Sequence, residues 1–112
     1  MSGISTHVLD TSLGRPASGV PVALERQAGS NWQSAGQGVT DQDGRIPELL
    51  AGSELVAGTY RLTFDTGAYF RARSQQAFYP QVQVVFAVAD AGQHYHVPLL
   101  LNPYGYSTYR GS

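Results

Sequence analysis

The sequence contains no cysteine and no lysine, and both absences remove whole classes of chemistry. Without cysteine there is no disulfide bond, no thiolate nucleophile and no cysteine-ligated metal. Without lysine there is no Schiff-base chemistry and no lysine general base. The seven basic residues are all arginine, so charged catalysis is left to Arg, His, Asp or Glu.

Charge and long hydrophobic runs are also scarce. Only 13% of the 112 residues are charged and the net charge is -1, which argues against a nucleic-acid surface or a polybasic membrane patch. No apolar run approaches the roughly 20 residues that span a bilayer. With 42% hydrophobic residues, we expect a single domain over residues 1–112. The N-terminus shows no secretory signal, so we expect a cytoplasmic protein, or a periplasmic one if a leader precedes this numbering.

Two-residue alternation of apolar and polar residues predicts an all-β protein. The clearest strands are predicted at residues 59–65 and 81–89, and weaker ones at 20–26 and 32–40. Turn residues separate strands at intervals of about 8–12 residues, which is typical of a β-sandwich. One short helix is predicted over residues 67–74, with Thr66 as its N-cap, beside seven or eight strands.

The three histidines share a direction. On a strand over residues 94–101, alternation places His94 and His96 outward, opposite an apolar face that begins with Tyr95 and Val97. On the first strand, residues 5–10, it places His7 outward as well. This pattern predicts either a surface covered by another group or a solvated face with incidental histidines.

Two further readings of these polar residues concern ligands. His94 and His96 have the spacing of a metal-ligand pair, and His7 could complete a zinc site, although only Asp90 supplies a carboxylate nearby. Arg45 directly follows an Asp-Gly turn, where its donors either reach an anionic or carbonyl-rich ligand or are simply solvated.

The last residues read as a final strand over residues 104–112. A terminus normally frays, so a sequence that still looks like a strand at its last residue indicates that this end is held. The final residue, Ser112, would then offer both a hydroxyl and an α-carboxylate, and alternation places Tyr109 outward.

Five blocks stand out together: STHVLD at 5–10, TDQDGR at 40–45, FYP at 78–80, HYHVPLLL at 94–101 and PYGYSTYRGS at 103–112. In content and order they resemble the 5-hydroxyisourate hydrolases, the transthyretin-related enzymes of urate breakdown. The resemblance spans nearly the entire chain, and the YRGS ending is its most specific part. Gln81 and Asn102 depart from the pattern, where Glu and Ser are expected, and neither position is catalytic in the family.

The resemblance implies an eight-stranded, prealbumin-like (transthyretin-like) β-sandwich with one short helix. It implies a homotetramer, a dimer of dimers with a central channel, whose active sites lie where the dimers meet. It also implies that His7, Arg45, His96 and Ser112 are the catalytic residues. Arg45 and Ser112 would also bind the substrate, together with Tyr109, which narrows the channel.

The implied reaction opens the cyclic amide of 5-hydroxyisourate with water, giving 2-oxo-4-hydroxy-4-carboxy-5-ureidoimidazoline, without a metal or cofactor. The implied partner is a small purine substrate, with no nucleic acid and no membrane. The main alternative is a transthyretin-like protein that binds a small ligand without catalysis. A structural prealbumin-like module and a zinc protein are two further alternatives.

Overall fold

A computed structural model of the protein describes residues 3–112. The predicted domain of residues 1–112 therefore includes two residues, 1 and 2, that lie outside the described part. The described elements, in chain order, are β1 (Gly3–Asp10), β2 (Arg15–Pro16), β3 (Pro21–Ala28), β4 (Asn31–Val39), β5 (Arg45–Ile46), β6 (Gly58–Phe64), α1 (Thr66–Ala72), β7 (Val82–Val88), β8 (His94–Asn102) and β9 (Gly105–Thr108).

The strands form two sheets. One sheet has the order β2-β1-β8-β9, with β5 also paired to β1, and the other has the order β4-β3-β6-β7. Strands β1 and β8 run parallel, while every other pairing is antiparallel. Residues from both sheets bury their side chains between the layers, which confirms the predicted all-β sandwich.

Alternation is confirmed in the strands where it was clearest. In β6 the apolar set Tyr60, Leu62 and Phe64 is buried, each at 1% exposure or less, because these side chains face the other sheet. In β1, Thr6 and Val8 are buried as predicted, and His7, predicted to point outward, is half-buried. Strand β3 begins at Pro21, where the missing N–H of proline is tolerated.

The strand count differs from the predicted eight, since residues 3–112 contain nine strands. Two of the nine, β2 and β5, are two-residue segments that pair with β1, and without them the count is seven. Such short pairings leave no alternation to detect in the sequence. The final strand β9 ends at Thr108, and only an isolated bridge between His96 and Gly111 continues it.

The short helix is present, although its N-cap is one residue earlier than predicted. Helix α1 spans Thr66–Ala72, and the carboxylate of Asp65 accepts the N–H of Ala68 at 3.0 Å. Thr66 is fully buried and lies inside the helix. Both residues are good N-caps, so the choice between them follows from which side chain the fold buries.

A buried carboxylate connects this helix to the first sheet. The side chain of Asp10 accepts a hydrogen bond from the Tyr69 hydroxyl at 2.7 Å and another from the N–H of Ser12 at 3.0 Å. Burial alone would raise the pKa of Asp10, but these hydrogen bonds outweigh it and lower the pKa. Burial and the contact with Asp10 raise the pKa of Tyr69 to about 12.

We expect Tyr69→Phe to lower the free energy of unfolding by about 1–3 kcal/mol, because it removes a hydrogen bond to a buried charge. The lowered pKa of Asp10 stabilises the fold above pH 3.8, and this contribution is lost as pH falls through the folded-state pKa. The stability advantage of the parent over the variant should therefore be largest near neutral pH and should shrink as pH falls and Asp10 is protonated. Urea unfolding at neutral and acidic pH measures both effects.

Tyr104→Phe is the matched control, because Tyr104 is 70% exposed and its hydroxyl makes no hydrogen bond within the described residues. Equal stability of the two variants would contradict the role assigned to the Tyr69 hydroxyl.

Candidate active site

The polar outward residues of the first sheet are brought together by strand register. In the parallel pairing of β1 with β8, Ser5 lies beside His96 and His7 lies beside Pro98. In the antiparallel pairing of β1 with β5, His7 lies opposite Arg45. Paired residues in neighbouring strands project to the same side of a sheet, so these side chains share one face.

An open cavity of about 270 Å³ lies on this face. Its lining includes three of the predicted site residues, Arg45, His96 and Ser112. Ser5 and His94 also line it. His7 is half-buried next to this group by register, although its side chain is not part of the lining.

Tyr109, the remaining predicted site residue, lies elsewhere. It is 58% exposed and lines a second cavity, of about 310 Å³, together with the β7 residues Val84 and Phe86. Its outward direction was predicted by extending alternation through residue 112. Because β9 ends at Thr108, that alternation does not reach Tyr109. Its contact with substrate therefore stays a prediction.

The turn before β5 positions Arg45. The side chain of Asp41 accepts the N–H groups of Asp43 at 2.9 Å and Arg45 at 3.0 Å, which closes the turn. Gly44 adopts a φ of 74° and its carbonyl accepts the N–H of Val8 at 2.7 Å, so the turn is fixed against β1. The exposed side chain of Arg45 is therefore attached to a backbone that these hydrogen bonds hold in place.

The last residues of the chain pack over the site. The N–H of Gly111 donates to the carbonyl of His96 at 2.8 Å. A Cβ atom at Gly111 would lie 2.7 Å from Cδ2 of His96 and 3.2 Å from Cγ of Pro98, so only glycine allows this approach. This cover explains why Pro98 is buried although it belongs to the outward face. The prediction that the end of the chain is held is consistent with this packing.

Ser5 is a site residue that sequence reasoning missed. Its hydroxyl lies 2.7 Å from Nε2 of His94 and 2.8 Å from Nδ1 of His96, so it connects the two imidazoles. The available signal was alternation, which places Ser5 on the same face as His7. Serine on a strand is so common that direction alone did not single it out.

The environment of His96 favours its neutral form. Burial lowers the pKa of His96, and the positive charges of His7, Arg45 and His94 lower it further. A neutral imidazole can accept a proton, and a guanidinium can hold anionic or carbonyl oxygens. Within residues 3–112 no group of three His, Cys, Asp or Glu side chains is arranged to hold a metal ion.

The fold and this face define a class: small two-sheet β-sandwich proteins whose outer sheet face carries imidazoles and a guanidinium around one cavity. Comparison with known proteins gives the particular family. A model of the HIUase/Transthyretin family matches residues 4–111. The chain belongs to that family.

Similar proteins include both branches of the family. The 5-hydroxyisourate hydrolase of Caulobacter vibrioides is 48% identical over 116 residues, covering 100% of both chains. The structure of the Klebsiella pneumoniae 5-hydroxyisourate hydrolase is 40% identical with a TM-score of 0.88, covering 99% of this chain and 100% of that one. Sea bream transthyretin in complex with thyroxine is 32% identical with a TM-score of 0.90, covering 96% of this chain and 93% of that one.

As to membranes, the described residues 3–112 include no helix with the length and apolarity needed to cross a bilayer.

We expect His96 to titrate below the ordinary value of 6.5, because burial and neighbouring positive charges oppose its protonation. Arg45→Gln should raise the pKa of His96 by removing one of those charges. NMR titration of the imidazole C–H signals measures both values. Arg73→Gln removes an arginine that lies over the Tyr69 ring on the helix and should leave His96 unchanged. A pKa of His96 that does not respond to Arg45→Gln would contradict the electrostatic account.

Proposed function

We propose that this protein is a hydrolase that opens the cyclic amide of 5-hydroxyisourate to give 2-oxo-4-hydroxy-4-carboxy-5-ureidoimidazoline. The observation that carries the proposal is that His96, Arg45 and Ser112 line one cavity. Relatives 40–48% identical over nearly the whole chain are named as 5-hydroxyisourate hydrolases, which supports the same substrate here.

The substrate is a small, flat, oxidised purine with several carbonyl oxygens. Hydrolysis forms a bond between the oxygen of water and the ring carbonyl carbon, and the carbon–nitrogen bond then breaks. One proton must leave the water and one must reach the departing nitrogen, while negative charge develops on the carbonyl oxygen. The site must therefore supply a base, an acid and a positive or hydrogen-bonding group.

The predicted site residues match these needs. One of His7 and His96 acts as base and the other donates or relays a proton, since an imidazole titrates near neutral pH. Arg45 binds the purine oxygens and offsets the developing charge. Ser112 orients a histidine or the water through its polar groups. The chemistry needs no covalent nucleophile, metal or cofactor.

The alternative function, binding of a small ligand without catalysis, is based on the similarity to sea bream transthyretin. The two TM-scores, 0.90 to that protein and 0.88 to the Klebsiella hydrolase, are nearly equal, so the backbone does not separate the functions. The side chains do, because clustered imidazoles beside a guanidinium are equipped for proton transfer. A ligand that co-purifies with a protein unable to hydrolyse 5-hydroxyisourate would favour this alternative.

We further propose that four copies assemble as a dimer of dimers, with the active sites between dimers and Tyr109 narrowing the channel. Strands β7 and β9 are edge strands in the single chain, with one partner each. Val85 on β7 is 58% exposed and Tyr106 on β9 is 42% exposed. Unpaired edges that carry large apolar side chains are favourable places for association with another copy.

The remaining parts of the proposal are the extent of the domain along the chain and the compartment in which the protein works. Residues 1–112 act as one transthyretin-like hydrolase domain, and the protein works in the cytoplasm, or in the periplasm if a leader precedes this numbering. Its partners are the purine substrate and its own copies.

His96→Ala and Arg45→Ala should each lower turnover by about 100-fold or more, since each removes a positioned proton-transfer or charge-stabilising group. The decay of 5-hydroxyisourate absorbance measures the rate with freshly generated substrate. Arg71→Ala, an exposed arginine on α1, is the control and should keep the parent rate. Near-normal rates in both site variants would reject the assignments.

Assembly is measured separately by light scattering coupled to size-exclusion chromatography. We expect a mass four times that of a single chain. Tyr106→Lys should reduce this mass by placing a charge on the exposed edge of β9, whereas Tyr104→Lys, outside the strand, should not. A parent protein that elutes as a monomer would reject the proposed tetramer.

A further inference from the structure

The hydroxyl of Ser5 restricts the protonation of two histidines at once. It lies within hydrogen-bond distance of Nε2 of His94 and Nδ1 of His96, at 2.7 and 2.8 Å, and Ser5 is only 7% exposed. A hydroxyl carries one hydrogen, so it donates to one ring and accepts from the other. When both imidazoles are neutral, only two hydrogen-bonding arrangements around the Ser5 hydroxyl are therefore possible.

The two arrangements give His96 opposite properties. If Ser5 donates to His96, Nδ1 of that ring has no hydrogen and Nε2 carries it, so His96 is a donor. If His96 donates from Nδ1 to Ser5, its Nε2 has a free lone pair and His96 is a base. Nε2 of His96 makes no hydrogen bond within residues 3–112, so this atom is left for water or substrate.

A carboxylate beside His94 selects between them. The point that a Cβ of Gly3 would occupy lies 2.6 Å from Oε2 of Glu48 and 3.3 Å from Nδ1 of His94. The two atoms are therefore at most about 6 Å apart, a range in which a charge still acts on a ring nitrogen, although they form no ion pair within residues 3–112. The other oxygen of Glu48 accepts the N–H of Leu50 at 2.9 Å, which fixes the carboxylate. A negative charge there favours a hydrogen on Nδ1 of His94.

The rest of the arrangement follows from that hydrogen. With Nδ1 of His94 protonated, Nε2 of His94 accepts from Ser5, and Ser5 in turn accepts from Nδ1 of His96. His96 is then left with a free lone pair on Nε2, which is the form of a general base.

The surrounding charges also oppose an added proton on His96. His7 on β1, Arg45 on β5 and His94 on β8 face His96, and each opposes a second proton on it. His94, in contrast to the half-buried His96, is exposed to solvent and lies on the side of the site nearer Glu48.

We propose that Ser5 and His94 are positioning residues that hold His96 as the general base and carry away the proton it accepts. The proton from water binds Nε2 of His96, the Nδ1 hydrogen passes to the oxygen of Ser5, and the hydroxyl hydrogen of Ser5 passes to Nε2 of His94. His96 ends neutral, Ser5 is unchanged and His94 carries the positive charge. The catalytic part of this inference rests on the proposed hydrolase function.

The test begins with imidazole ¹⁵N NMR of the whole protein at about pH 7.5, where unperturbed histidines are mainly neutral. We expect His96 to carry its hydrogen on Nδ1 and His94 on Nδ1. Ser5→Ala should release both rings to mixed tautomers, whereas Ser34→Ala, an exposed serine on β4, should change neither. A His96 that carries its hydrogen on Nε2 in the parent protein would overturn the proposal.

Kinetics test the relay itself. Ser5→Ala should lower kcat by about 10-fold or more with little change in KM, and Ser5→Thr, which keeps the hydroxyl, should restore most of it. His94→Gln keeps an amide able to hydrogen-bond Ser5 but cannot hold the proton, so it should also lower kcat. Parent-like kcat in His94→Gln would show that His94 has only a structural role and would overturn the relay.

The two readouts separate this inference from the proposed function. NMR uses no substrate, so the expected tautomers in a protein that hydrolyses nothing would support the positioning by Ser5 and reject the hydrolase. Hydrolysis that persists unchanged in Ser5→Ala would support the hydrolase and overturn the relay.

Discussion

The parallel pairing of β1 with β8 is the constraint on which the candidate site depends. These strands are far apart in sequence, and their register places Ser5 beside His96. A shift of one residue would turn Ser5 and His7 into the core and bring Thr6 and Val8 to the surface. That shift would expose two residues now at 1% and 0% exposure, so burial of the core holds the polar groups in place on the opposite face.

Two local segments add the remaining groups of the candidate site to those that the sheet provides. The Asp41 turn brings Arg45 to the edge of β1, and the residues after β9 fold back so that Gly111 contacts the ring of His96. Both segments are fixed to the sheet by backbone hydrogen bonds, from Val8 to Gly44 and from Gly111 to His96, and the Asp41 side chain closes the turn itself. The cavity is therefore lined by groups from four separate parts of the chain: β1, the Arg45 segment, β8 and the last residue.

Much of the fold was predictable because alternation is a local property of a half-buried strand. It correctly placed the buried faces of β1 and β6 and the outward direction of His7 and His96. It could not reveal β5, whose two residues are paired only through tertiary contact, or the position of Tyr109 beyond the end of β9. The Ser5 bridge also escaped prediction, since it depends on the register between two distant strands.

The similarity to both transthyretin and a hydrolase has a physical explanation, because different residues determine the fold and line the cavity. The buried positions determine the sandwich, and they are nearly independent of the outward positions that line the cavity. Ser5, His94 and His96 contribute little to the apolar core, so these positions could change without loss of the fold. In such an architecture the chemistry is decided by a few hydrogen bonds on one sheet face. Here the decisive one is the bond that determines which nitrogen of His96 carries a hydrogen.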